Sequence, residues 1–462
     1  MPESPSYDRT VSRLRATFEA GVTRPLAWRK EQLHALRRLV AEGEDDLLAA
    51  LAADLGKPPV EALVSDISFV GGGVDAALAG LDGWVRPERV SVPAVQQPAR
   101  ASVVREPFGV ALVMAPWNYP VHLLLAPMAA AIAAGNCVVG KPSELAPATS
   151  AALARLVPRY LDPAAIAIVE GGVAETQALL AERFDHIFFT GSSRVGKVVM
   201  RAAAEHLTPV TLELGGKSPV IIDADADVEV AARRIVWGKF LNAGQSCVAP
   251  DYVLAHRDVE ERLVSELAKA VRRFYGSDPE VSPDYARIVN DHHFGRLAKM
   301  LEGTAGQVAV GGQANRPTRY MAPTVLTAVK PEDAVMDEEI FGPILPVLSV
   351  ADMDEAVAFS VARPKPLALY VFTSSSKTAE SILSQTSSGG ACVNTAVVHL
   401  AIPGLPFGGV GASGMGSYHG RWGFETFSHR RAVLSKPTRP ELGVMYPPHT
   451  SLKSWVLRKA VG

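Results

Sequence analysis

The chain has 462 residues, with 46 Lys and Arg against 48 Asp and Glu and a formal net charge of −2. That balance excludes a general nucleic-acid binder or an anionic-membrane binder, both of which need a basic surface. A hydrophobic content of 48% excludes intrinsic disorder, and at roughly 150 residues per domain the length predicts about three folding units. The three cysteines, Cys137, Cys247 and Cys392, are too far apart for CxxC metal or redox motifs and point to reduced thiols in the cytoplasm. Met1–Arg15 mixes charges with Pro and Ser and lacks an apolar stretch, so no signal peptide is expected.

From Ser12 to about Trp84 the apolar residues recur at helical spacing, and Trp28, Leu33, Leu36, Val40, Leu47, Leu48 and Leu51 line one face as core. Val90–Arg105 changes texture to Val, Pro, Gln and Ser with partial alternation, as expected of a strand that leaves its domain and packs elsewhere. Pro107–Gly140 contains no Asp, Glu, Lys or Arg and is long enough to cross a bilayer. Pro116, Asn118, Pro120, Pro127 and Gly135 punctuate it, however, so we read a buried strand, helix and second strand, and expect no transmembrane segment.

Short apolar runs then alternate with helical segments. The runs are Val110–Met114, Cys137–Gly140, Ile166–Val169, His186–Phe189 and Val210–Leu214; the helices between them include Thr149–Tyr160, Glu175–Arg183 and Val195–Leu207. Such alternation predicts an α/β fold with a doubly wound parallel sheet, whose ligands sit at the carboxyl ends of the strands. A second α/β segment follows Ser218, with strands expected near Val220–Ile222, Tyr252–Ala255, Pro323–Leu326, Leu345–Val350, Leu369–Phe372 and Ala391–Val393.

Several motifs fail on inspection. Gly191–Lys197 matches a phosphate-binding loop until Val198, which supplies no hydroxyl for Mg²⁺; what survives is a Gly-rich turn that opens a helix after a strand, a good seat for a pyrophosphate. Gly409–Gly414 spells GxGxxG but follows Pro406-Phe407 rather than a strand, and is rejected as a cofactor loop. Asp223, Asp225 and Asp227 lack the later positions of a calcium loop, so Asp227 is read as a helix cap. His292 and His293 have no partner at zinc-ligand spacing and are read as surface histidines; no metal site is expected.

Three other segments supply a chemistry between them. Glu213 ends a strand before Gly215-Gly216, Cys247 lies in the loop Asn242–Cys247, and Asn118 stands between Pro116 and Pro120. A thiol nucleophile, an amide donor and a carboxylate base are the parts needed for covalent catalysis at a carbonyl. Each also has an ordinary structural alternative: Glu213 as an ion-pair partner, Asn118 as a turn former, Cys247 as a small buried hydrophobe, and Glu339 as a helix-start charge. Cys137 and Cys392, inside apolar runs, are read as core.

Together with Lys141–Glu144, Phe189–Gly196, Glu339–Pro346 and Pro406–Gly416, these segments make the chain resemble the aldehyde dehydrogenase superfamily. Its class 3 branch is resembled in the Asn-Tyr-Pro turn, in Cys247–Leu254 and in Pro406–Gly420 followed by Phe427–Arg430. The resemblance implies Cys247 as nucleophile, Asn118 with the Cys247 N–H as oxyanion hole, and Glu213 as the base that activates water. It implies Lys141 and Glu144 at the adenosine ribose, and Thr190, Gly191, Ser192 and Gly196 around the pyrophosphate. Leu214 joins the cofactor contacts, with Glu339 and Phe341 at the nicotinamide ribose and ring. Tyr119, His399 and Phe407 are the expected walls of a substrate tunnel.

The implied layout is a cofactor domain (1–85 and 107–211), a catalytic domain (212–420), and an oligomerisation arm with a C-terminal tail (86–106 and 421–462). The implied activity is NAD(P)-dependent oxidation of an aldehyde to the acid by a cytoplasmic homodimer, with NAD preferred and NADP usable. CoA-acylating dehydrogenation and a non-catalytic, crystallin-like relative remain as alternatives. The tail segment Leu452–Val461 is expected to fold down on the body in preference to lying on a membrane surface.

Overall fold

The computed structural model describes residues 6–441 and 443–461; the first five residues of the segment searched for a leader lie outside the described residues. Val110–Met114, Cys137–Lys141, Ile166–Ile168, His186–Thr190 and Val210–Glu213 form a parallel sheet. Most of these strands are wholly buried, which is why they read as unbroken apolar runs. Val110–Met114 lies at the centre, flanked by Cys137–Lys141 on one side and His186–Thr190 on the other. The chain therefore reverses its direction of growth between Val110–Met114 and His186–Thr190, and a crevice opens at the carboxyl ends of these two strands. Asn118 follows the first, Thr190–Ser192 follows the second, and Glu213 ends the neighbouring strand.

A second sheet runs in the order Gln307–Val310, Thr324–Thr327, Ile344–Val350, Tyr252–His256, Pro219–Ile222, Ala368–Phe372 and Gly390–Val393, parallel except at its first edge. Gln245–Cys247 precedes Tyr252–His256, and Glu339–Phe341 precedes Ile344–Val350. The cleft thus forms where the carboxyl ends of the first sheet meet the loops that feed the second. The expected division at residue 212 cuts through Val210–Glu213, which belongs entirely to the first sheet, and Gly414–Met415 returns to pair antiparallel on its edge. This bend absorbs the Gly409–Gly414 motif.

A third, antiparallel sheet joins Glu88–Val90, Arg100–Pro107 and Ser428–Ser435. Arg105 pairs with Glu88 and Arg431 with Glu106 within the sheet, while Arg105 and Arg430 both reach Glu425 on the segment before Ser428, which also pairs with Arg421. The helix Gly420–Thr426, of which all but Gly420 was expected in the arm, packs on Ser68–Trp84 and His122–Ala134. The C-terminal helix Ser451–Val461 lies against the turn Gly443–Met445 and leaves Leu452 and Trp455 exposed, so it is not folded down as expected. Lys459 covers the Trp455 ring, but one cation–π contact is too small an apolar surface to dock a helix.

Among the described residues one helical stretch, Pro59–Trp84, is long and apolar enough to cross a membrane by length and composition. It packs against Leu26–Glu42 and His122–Ala134 and buries Asp66. A π-helical turn, Leu63–Ile67, interrupts it. Such a turn re-aims the side chains beside it, here Glu61, Val64 and Ser65, which face the cleft.

Candidate active site

Two cavities meet at Cys247. One, of about 430 Å³, is bordered by Trp117, Asn118, Thr190, Ser192, Leu214, Glu339 and Phe341; the other, of about 620 Å³, by Tyr119, Leu123, Trp237, Leu400, Phe407 and Tyr418. Cys247, Glu213, Thr190 and Leu123 border both. A thiol at this junction reaches a reactant from either side.

Asn118, the expected oxyanion donor, is held by main-chain partners. Asn118 is 2% exposed and its amide donates one hydrogen to the Gln245 carbonyl at 3.1 Å, leaving the other for a ligand. The Asn118 carbonyl accepts from Lys57 Nζ at 3.0 Å and Asn242 Nδ2 at 2.8 Å. Lys57 is in turn paired with Asp66 at 2.6 Å, both fully buried, and Asp66 also receives the His122 N–H. Removing one member of such a buried pair costs about 3–5 kcal/mol. The shelf under Asn118 is therefore rigid.

Burial pushes the Cys247 thiol far up, and the Glu339 and Glu213 carboxyls push it further; the N–H groups of Cys247 and Val248 act in the opposite direction. Those two N–H groups lie where an anion next to Cys247 would be stabilised. Glu213 is raised well above the ordinary carboxylate range by burial, and neither of its oxygens has a hydrogen-bond partner among the described residues. It is not an ion-pair partner. A buried, unsatisfied carboxyl is expensive to keep, which argues for a ligand or water in use.

Glu339 is raised to about 8, first by burial and then by Asp251, while the Gly216 N–H, Lys217 and Arg296 pull it down. One of its oxygens is buried without a partner. The other packs so closely on Gly215 that a Cβ there would lie 2.0 Å away and would displace the carboxyl. Gly244, at φ +76°, is held in the same way: a Cβ would meet the Gly342 carbonyl at 2.2 Å. The nucleophile loop and the Glu339–Phe341 loop thus touch main chain to main chain.

Of the expected cofactor residues, Thr190, Gly191, Ser192, Leu214, Glu339 and Phe341 border the polar cavity, and Lys141, Glu144 and Gly196 do not. Phe341 meets Trp117 edge-on with ring centroids 5.3 Å apart. Ser192 caps the helix Ser193–Glu205 by accepting from Val195 N–H, and Gly196 is buried against Leu214. Lys197, the lysine of the failed phosphate-loop motif, is exposed on that helix. Lys141 donates to the Gly171 carbonyl at 2.6 Å and to Pro142, with Glu144 at 3.4 Å. The orphaned Thr190 Oγ1 and Glu339 Oε1, the helix N-terminus at Ser192 and the Trp117–Phe341 aromatic pair fit a dinucleotide: polar donors and acceptors along its length, with an aromatic wall at one end.

Two expectations need correction. His399 does not border the substrate-side cavity; its Nδ1 lies 3.2 Å from Cys392 Sγ, behind Phe407. Val397, at φ +69°, turns the chain so that Val398, Leu400 and Ala401 face the cavity and His399 faces away. Nor are both histidines of the 292–293 pair on the surface. His293 packs against Trp117 with ring centroids 4.9 Å apart and borders the polar cavity. Sequence reasoning also passed over Glu61, Leu400, Tyr418 and His419 on the apolar side, and Arg296 on the polar side. Only Arg296 left a signal, one helical turn after His292-His293. Asp227 caps Val228–Phe240 as expected, and no cluster of metal-ligating side chains occurs among the described residues.

Comparison with known proteins accounts for this arrangement. The model of the aldehyde dehydrogenase family matches residues 3–433. Aldehyde dehydrogenase family 3 member A2 of Rattus norvegicus is 49% identical over 97% of this chain and 93% of its own length. A solved structure described as the substrate-bound state of Staphylococcus aureus AldH superposes with a TM-score of 0.96 at 43% identity, covering 98% of this chain and 99% of that one. An NAD-dependent aldehyde dehydrogenase from Sinorhizobium meliloti gives a TM-score of 0.86 at 30% identity, covering 94% and 87%. The chain belongs to the aldehyde dehydrogenase family.

Proposed function

We propose that this aldehyde dehydrogenase oxidises apolar aldehydes to carboxylic acids through a thioester on Cys247, with NAD as the preferred acceptor. The observation that carries the reading is the position of Cys247 between an apolar cavity and a polar one, with Glu213 bordering both. When bound in the polar cavity, the nicotinamide supplies the hydride acceptor.

The Cys247 thiolate forms the C–S bond, and the carbonyl oxygen takes the electron pair as an oxyanion held by the free Asn118 amide hydrogen and the Cys247 N–H. The oxyanion re-forms the carbonyl as hydride departs, leaving the acyl group on sulfur. Glu213 then takes a proton from water, the hydroxyl adds to the acyl carbon, and cleavage of the C–S bond returns the thiolate and releases the acid.

NAD over NADP is supported by Lys141, whose ammonium is already committed to two carbonyls, and by Glu144, whose charge repels a 2′-phosphate. The arm sheet is assigned to homodimerisation, the first sheet with its helices to cofactor binding, and the second sheet with its helices to catalysis. The unpaired Cys137, Cys247 and Cys392 support a reading of the protein as cytoplasmic. The deciding experiment follows NADH absorbance with aldehydes of graded chain length, alongside Cys247→Ala. Turnover by that variant, or a preference for short polar aldehydes, sinks the reading.

A further inference from the structure

We propose that Glu61, in the wall of the apolar cavity, is a positioning residue for the oxyanion hole and acts on Asn118 through Asn242. This rests on the role given to Asn118 above. Glu61 comes from the helix before the π turn, remote in sequence from the catalytic loops, yet its Oε1 accepts the Asn242 N–H at 2.8 Å. Asn242 and Ala243 are successive non-glycine residues in the left-handed region, at φ 51° and 52°. Such a conformation persists only where its surroundings hold it.

The other restraints on this bend come from Gln245, whose Nε2 donates to the Asn242 carbonyl at 2.9 Å and to the Arg287 carbonyl at 2.9 Å. The bend aims the Asn242 amide at two carbonyls, Asn118 at 2.8 Å and Gln245 at 3.2 Å. The Gln245 carbonyl also accepts from Asn118 Nδ2. Glu61 thus anchors one end of a chain of hydrogen bonds whose other end is the side chain given the oxyanion. It is the outward tie on Asn242, and without it the bend is held from one side only. Misplacement of a catalytic group by about 1 Å is enough to cost a hundredfold in rate.

The test measures the single-turnover rate of NADH formation, which reads hydride transfer separately from product release. Glu61→Met keeps the bulk of the cavity wall but offers no acceptor; the expected loss is about ten- to a hundredfold, with NAD affinity unchanged. Glu61→Gln, whose amide oxygen still accepts from Asn242, is expected to recover most of the rate. In an Asn118→Ala background Glu61→Met is expected to cost less than about threefold, because its target is gone.

A Glu61→Met rate within about threefold of the parent overturns the inference, as does an equal loss in the Asn118→Ala background or failure of Glu61→Gln to recover. If Glu61→Met does not fold, Asn242→Gly keeps the left-handed bend, removes the link to Asn118, and is held to the same cycle. Normal hydride transfer in Asn118→Ala alone overturns the oxyanion reading and this inference with it. A slow Asn118→Ala beside a normal Glu61→Met overturns this inference alone.

Discussion

The two cavities that share Cys247 are built in opposite ways. The polar one is assembled from loops at strand ends, each short and each carrying a residue whose chemistry is its reason for being there. The apolar one is assembled from the Pro59–Trp84 helix, the turn Val398–Ala401 and residues near Tyr418, segments that meet only in the folded protein. On the proposed function, one half fixes what reaction occurs, and the other which molecule undergoes it.

The largest break in this division is at the shared thiol. Cys247→Ala is expected to lower NADH formation at least about a thousandfold while NAD still binds, as followed by NADH absorbance and calorimetry. Glu213→Gln keeps shape but removes the base, so deacylation stalls. A burst near one NADH per site, an estimate that assumes every site competent, is expected before turnover slowed about a hundredfold. Loss of the burst would move Glu213 to thiol activation; an unchanged steady rate would remove Glu213 from the mechanism.

Smaller effects sharpen the division. Val398→Trp intrudes on the apolar cavity and is expected to lower kcat/KM for long aldehydes about tenfold relative to short ones, with NAD kinetics unaltered. Glu144→Ala, beyond the carboxyl end of the strand Cys137–Lys141, is expected to shift the NADP-to-NAD ratio of kcat/KM several-fold upward and leave aldehyde selectivity unchanged.

A further effect is on stability. Burial, with His122 and His399 adding to it, lowers His419 to about 3. An unfolded histidine titrates near 6.5, so His419 contributes stability that is complete above that pH and is lost as pH falls towards 3. The loss is about 1.4 kcal/mol per pH unit within that window. Denaturant melts of His419→Phe are expected to show a slope flatter by about one proton; an unchanged slope would mean that His419 is protonated in the folded state.

The polar half was legible because its residues lie within a few positions of a strand end, where sequence spacing and spatial position coincide. Glu213 before Gly215-Gly216 and Cys247 after Gly244 are examples. Glu61 was not, since helical periodicity assigns the whole Ser12–Trp84 stretch to core, and periodicity does not reveal a π turn. His399 went wrong because one left-handed residue, Val397, decides which side of a short turn faces the cavity. In His292-His293, neighbours on a helix point about 100° apart, so one reaches solvent and the other Trp117.

The pairing of Arg100–Pro107 with Ser428–Ser435 along its full length carries a consequence for biosynthesis. At roughly 5–20 residues per second a ribosome delivers the second strand on the order of tens of seconds after the first. Until then Arg100–Pro107 has only the three-residue strand Glu88–Val90 beside it and presents an open edge to other nascent chains. Arg100, Arg105 and Glu106 on that strand supply the charge that discourages edge-to-edge pairing during the wait. A chain released before Ser428 keeps the open edge permanently.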